Sequence, residues 1–203
     1  MLRPGGYTTE VVKNLLIINA LVFLATNVLN FPGLYERLVL YAPTNENFSP
    51  YQFITYMFMH GGFSHILFNM LGLWMFGSEI EDRLGSKKFL IYYVACGLGA
   101  AAIHFGLDYA VQGDSNSVLL GASGSVFGLL AAYGMMFPNN IIMPLFPPIP
   151  MKAKYFVLIY GAIELFAGVR NVAGDNIAHF AHLGGAVTGA ILILIWKQRR
   201  ELY

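Results

Sequence analysis

Six apolar stretches almost free of charge divide this sequence, at residues 14–30, 61–78, 89–107, 118–137, 155–169 and 177–196. An ionised side chain at the centre of a bilayer costs about 2.5–3.5 kcal/mol on insertion scales, so windows that exclude charge are read as membrane spans. Only 11% of the residues are charged and 57% are hydrophobic, where a soluble domain carries about 25% charge. Six spans of roughly 20 residues with short connections use up a chain of this size. The expectation is an all-α membrane protein, a polytopic bundle of six transmembrane helices forming one domain over residues 1–203, with the lipid bilayer as its solvent.

Several function classes drop out. A net charge of +1 with no basic run offers no footprint for nucleic acid. The single cysteine, Cys96, cannot close an internal disulfide. The first window follows Arg3 and Lys13, but it is long for a signal peptide and lacks a clear small-x-small cleavage site, so it reads as an uncleaved span. Lys and Arg gather before the first window, in the 79–88 and 138–154 loops and in the C-terminal tail, whereas the opposite loops hold only Arg37 and Arg170. The positive-inside rule then makes both termini cytoplasmic and brings the second, fourth and sixth spans in from the external side. The minimal form of the chain leads to the expectation of a multi-pass protein of a bacterial cell (inner) membrane. The 31–60 stretch, with Pro32, Pro43 and Pro50, is too apolar for a free linker and is expected to lie partly in the interface. Four prolines between 144 and 150 forbid a continuous helix there and should turn the chain.

Polar groups at membrane depth are expensive unless partnered, so each needs a reason. Three clusters open the second, fourth and sixth windows: His60 with His65 and Asn69, the run Gly121-Ala122-Ser123-Gly124-Ser125, and His179 with His182 ahead of Gly185. At about 1.5 Å per residue, Ser123, His182 and Asn69 all lie roughly 8–9 Å inside the same face. A serine hydroxyl becomes a nucleophile when a base can take its proton, and histidine is the usual partner. Attack on an amide creates an oxyanion that needs donors aimed at it. Ser123 is therefore the expected nucleophile and His182 the base, with Asn69, His65 and the backbone at Gly121 and Ala122 stabilising the oxyanion. No acid lies near His182 in sequence, Asp175 being seven residues away, so the expectation is a Ser–His dyad whose imidazole is oriented by packing. Gly124 and Gly128 in the fourth span, with Gly185 and Gly189 in the sixth, allow those helices to close together. Phe127, one turn below Ser123, is placed to stack on His182.

These pieces together resemble the rhomboid intramembrane serine proteases. The resemblance rests on His60…His65-x-x-x-Asn69, Gly121-x-Ser123-Gly124 and Ala181-His182-x-x-Gly185-x-x-x-Gly189, with Glu79, Arg83, Gly85 and Ser86 in the loop after the second span. It implies a six-helix core, a Ser–His dyad, an oxyanion site lined by His65 and Asn69, and a water-filled cavity open to the external side. The implied substrates are transmembrane segments of single-span proteins, cut near their external end. It also implies a loop at about 168–177 that caps the site. Phe127 stands where some members have Tyr, and the family's Trp-Arg pair in the first external loop is absent.

The remaining polar residues invite plainer readings. His60 is expected to tie down the external loop, His179 to be solvated or packed, and His104 to have no role. Glu164, the one acid inside a window, is expected to make an interhelical hydrogen bond, with gating of its helix as the other use. Glu81 and Asp82 read as a solvated cytoplasmic turn. No His-Glu-x-x-His pattern is present, so no metal site and no cofactor is expected. Two rivals remain: a catalytically silent rhomboid-like protein that binds membrane clients, and a small transporter, which would show inverted repeats or broken helices.

Overall fold

The computed structural model describes residues 8–112, 117–144, 147–170 and 178–199. Where lipid replaces water, backbone N–H and C=O groups must be satisfied within their own segment, and the apolar windows accordingly become helices. They are α1 (Glu10–Phe23), which runs on as a π-helical turn over Leu24–Val28, then α4 (Phe63–Leu84), α5 (Ser86–Gln112), α6 (Ser123–Met136), α7 (Ala153–Arg170) and α8 (His179–Gln198). Between α1 and α4 lie two short helices, α2 (Leu34–Leu38) and α3 (Gln52–Thr55). Among the described residues, Glu10–Val28, Ser86–Val111 and His179–Gln198 are long and apolar enough to cross a membrane by length and composition alone.

The 31–60 stretch is packed, as its apolar content required. Leu40, Tyr56 and Met57 are buried with Ala100, Ala101 and Leu119. Strand β1 (Leu40–Tyr41) pairs antiparallel with β2 (Val118–Leu119), Leu40 opposite Leu119. This pairing shifts the expected start of the fourth span. Val118 opens a strand, Gly121 turns the chain at φ 123°, and the helix begins only at Ser123. The proline-rich stretch does turn the chain, since β3 (Ile141–Ile142) pairs antiparallel with β4 (Met151–Lys152).

Helices α5, α6 and α8 form the tightest part of the bundle. A Cβ on Gly185 would overlap the Gly124 carbonyl, and one on Gly189 would stand 3.0 Å from the Gly128 backbone. The glycine pairs thus bring α6 and α8 into backbone contact, and Tyr92 of α5 seals the join by donating to the Gly128 carbonyl at 2.6 Å. Helix α7 is the opposite case. Only Ala153 and Phe156 are buried on it, and apolar side chains such as Leu158, Phe166 and Val169 face outward.

Glu81 requires a correction, because it is buried instead of solvated. Its carboxylate accepts from Thr9 Oγ1, from the backbone N–H groups of Val11 at 3.1 Å and Val12 at 3.0 Å, and from Ser86 Oγ at 2.7 Å. The first turn of any helix leaves N–H groups without intrahelical partners. Glu81 supplies them for α1 from a different helix and ties in the start of α5 as well. Burial by itself would raise the Glu81 carboxyl, but these four donors outweigh it and hold the group below its ordinary value.

Candidate active site

The entry to α6 is shaped by Gly121. Its φ of 123° is one that L side chains rarely adopt, and a Cβ there would lie 2.9 Å from His65 Nε2 and 3.7 Å from Ser123 Oγ. The missing side chain therefore lets the His65 ring and the Ser123 hydroxyl share one small space. The Gly121 N–H donates to the Tyr56 carbonyl at 2.9 Å. That corrects the expectation of an oxyanion donor at this backbone position, since the N–H is already committed to the loop. Ser123, at the first turn of α6, and Ala122, at its cap, have N–H groups with no partner within the helix.

Two elements hold His65. Its Nδ1 accepts from the Gly61 N–H at 3.4 Å, and its ring meets that of His60 edge to face with centroids 5.0 Å apart. With Nδ1 accepting, the proton sits on Nε2, the atom turned toward Gly121. Asn69 is buried one turn further along α4 and donates one amide hydrogen to the His65 carbonyl at 3.0 Å. Its second amide hydrogen remains for another acceptor. The His60 carbonyl accepts from Asn27 Nδ2 at 3.0 Å, a backbone contact that links the end of the 31–60 stretch to the π-helical turn after α1 and does not use the imidazole.

His182 comes to the same corner on α8. The backbones next to Ser123 and His182 approach closely, since a Cβ on Gly124 would be 3.6 Å from the Ala181 carbonyl oxygen. Phe127 stacks on the His182 ring with centroids 4.4 Å apart and planes 8° from parallel. This is the packing the sequence suggested. The structure adds what the sequence reading excluded, a carboxylate on His182. Glu164 Oε2 on α7 receives Nδ1 of His182 at 2.9 Å and Nδ1 of His179 at 2.6 Å. A carboxylate only accepts, so each Nδ1 carries the proton, and a neutral His182 keeps Nε2 free as its basic nitrogen.

Glu164 thus makes the interhelical hydrogen bond expected of it, and one of its partners is His182, the expected base. A signal was present. Glu164 lies six residues inside the end of α7 at Arg170, a depth of about 9 Å that matches the other polar groups. His179 is held by the same carboxylate and is neither solvated nor merely packed. The side-chain oxygen and the two ring nitrogens of Glu164, His179 and His182 all lie within 4.8 Å of one another, a set able to hold a metal ion. A search for contiguous metal motifs misses it because the third ligand arrives from a separate helix. His104 contacts Ser117 Oγ at 3.4 Å and lies 3.7 Å from Asp108. The expected capping loop falls largely on residues 171–177, outside the described residues, as does Asp175.

A helical membrane bundle that gathers serine, histidine and carboxylate at one end defines a class of intramembrane proteins with hydrolase-like side chains. Residues 47–199 match the family model for the Rhomboid domain. The mitochondrial RHOMBOID-like protein 12 of Arabidopsis thaliana is 28% identical over 206 residues, covering 95% of this chain and 59% of its own. The mitochondrial Rhomboid protein 1 of Saccharomyces cerevisiae is 29% identical over 190 residues, 90% of this chain and 52% of its own. Rhomboid protease GlpG of Salmonella choleraesuis is 26% identical over 148 residues, 73% of this chain and 49% of its own. The chain therefore belongs to the rhomboid family. It spans about half to three fifths of the length of these curated relatives.

Proposed function

We propose that the chain is an intramembrane serine endopeptidase that cuts transmembrane segments of single-span proteins near their external end. The observation that carries this reading is the double hold on His182: Phe127 fixes the plane of the ring and Glu164 fixes its tautomer, on a helix that closely approaches the one Ser123 opens. Ser123 Oγ attacks the scissile carbonyl carbon while its proton passes to His182 Nε2. The resulting oxyanion is met by the second amide hydrogen of Asn69, by His65 Nε2–H and by the backbone at Ala122 and Ser123. Collapse breaks the C–N bond, and His182 returns the proton to the departing amine. Water then attacks the ester, loses its proton to His182, and releases the acid as Ser123 regains its hydrogen. Glu164 touches neither substrate nor the reacting atoms and is a positioning residue. The charge asymmetry of the loops supports a site open to the external side with both termini cytoplasmic.

The test uses purified protein in detergent with a model single-span substrate and a fluorophosphonate probe. Cleavage and labelling are both expected, and Ser123→Ala should abolish both. Labelling that persists without Ser123 would reject it as the nucleophile. A folded protein that neither cleaves nor labels but retains membrane clients would favour the silent binding reading.

A further inference from the structure

The Glu164, His179 and His182 cluster has a property that hydrolysis does not use. We propose that these three side chains form a binding site for a zinc-class divalent ion, and that loading the site silences the serine. The ligand set is two imidazoles and one carboxylate, an N/O combination suited to zinc, with three protein ligands and a fourth position left for water. His179 and His182 stand three residues apart on α8 and direct Nδ1 at the same oxygen of Glu164, at 2.6 and 2.9 Å. Their rings are nearly perpendicular, at 85°, and the two Nδ1 atoms approach that oxygen from different directions. Zinc ligand atoms at about 2.0–2.1 Å from the ion stand roughly 3.3 Å from one another. Accommodating the ion therefore opens the two present contacts by roughly 0.5 Å. Helix α7, buried only at Ala153 and Phe156, is well suited to yield that distance.

The consequence for activity follows from the tautomer. Glu164 alone keeps the proton on Nδ1 of His182 and leaves Nε2 basic. An ion on Nδ1 replaces the proton there, and that proton moves through solvent to Nε2 of the same ring. Each ring stays neutral and no net proton is released. Nε2–H cannot accept the proton of Ser123, so the base is lost while the nucleophile stays in place. The effect on activity rests on the proteolytic reading, but occupancy of the site does not.

Two measurements keep these apart. In the first, Co2+ is titrated into chelator-stripped Ser123→Ala protein and its visible d–d absorption is followed. A tetrahedral band is expected, and His179→Gln added to that protein should weaken affinity by on the order of tenfold or more, whereas His104→Ala should leave it unchanged. His179→Gln keeps a hydrogen-bond donor for Glu164, and an unchanged unfolding temperature verifies that the fold survives. Absence of the band, or equal affinity in the His179→Gln protein, would overturn the site. In the second, Zn2+ is added to the otherwise unmodified protein during cleavage. Loss of activity restored by chelator is expected, with the inhibitory concentration raised by on the order of tenfold in His179→Gln. Tight Co2+ binding with cleavage indifferent to Zn2+ would overturn the tautomer switch.

Discussion

At the scale of single residues, His182 is held from two sides. The His182 side chain is only 12% exposed, with an aromatic ring on its face and a carboxylate on its edge. Removing that carboxylate charge should be felt in turnover, since a ring free to adopt the other tautomer spends much of its time without a base facing serine. Glu164→Gln is expected to lower kcat by about 10²-fold with KM little changed, and Glu164→Asp to restore part of the loss. Steady-state cleavage of the model substrate checks this, and a change confined to KM would assign Glu164 to binding. Asn69 makes a different demand. One amide hydrogen is spent on the His65 carbonyl, so its contribution to the oxyanion comes from the other. Asn69→Ala should slow turnover by about 10²–10³-fold, and an unaltered kcat would make it a packing residue.

At the scale of elements, glycines divide by what surrounds them. A methyl on Gly185 meets the Gly124 backbone, which cannot give way as a flexible side chain would. Forcing the tightly joined α6 and α8 apart costs more than ordinary overpacking of about 1–3 kcal/mol. Gly185→Ala is expected to lower the unfolding temperature in detergent markedly and to abolish cleavage by separating Ser123 from His182. Gly161, in α7, has nothing within 4 Å of its would-be Cβ. Gly161→Ala should be neutral or stabilising by up to about 1 kcal/mol, because alanine favours the helix. Thermal unfolding of the two variants side by side is the measurement, and equal responses would contradict the close approach of α6 and α8.

At the scale of the whole molecule, Glu81 joins α1, α4 and α5 through one carboxylate. Its folded-state pKa lies below the ordinary value of 4.5, so the unfolded chain binds this proton first as pH falls. The stabilisation is complete above about pH 4.5 and is lost as pH drops through the lower folded value. Unfolding temperature in detergent should therefore fall on acidification through that range, and Glu81→Gln should show lower stability at neutral pH with a flatter acid limb. A parallel acid response in both proteins would count against the junction.

Much of this architecture was legible in the sequence for a physical reason. Exclusion of charge, helical rise and small-residue spacing are local or one-dimensional, and they lead to the helices and to the α6–α8 contact. Rotation about a helix axis is not one-dimensional. The sequence left Glu164 as an acid awaiting an interhelical partner, and only the rotational setting of α7 against α8 turns its carboxylate onto the two imidazoles. The burial of Glu81 was hidden in the same way, since an acid at the end of a span looks solvated until another helix presents its N-terminus to it. Commitment of the Gly121 N–H to Tyr56 depended on a loop folding back, which no spacing rule anticipates.

The loosely seated α7 carries a consequence for control from the lipid side. The ring proposed to accept the serine proton is oriented by a rod whose own apolar surface lies open to acyl chains. A hydrophobic compound wedged beneath that rod would disarm the reaction from within the hydrocarbon phase, leaving the aqueous approach to the serine clear.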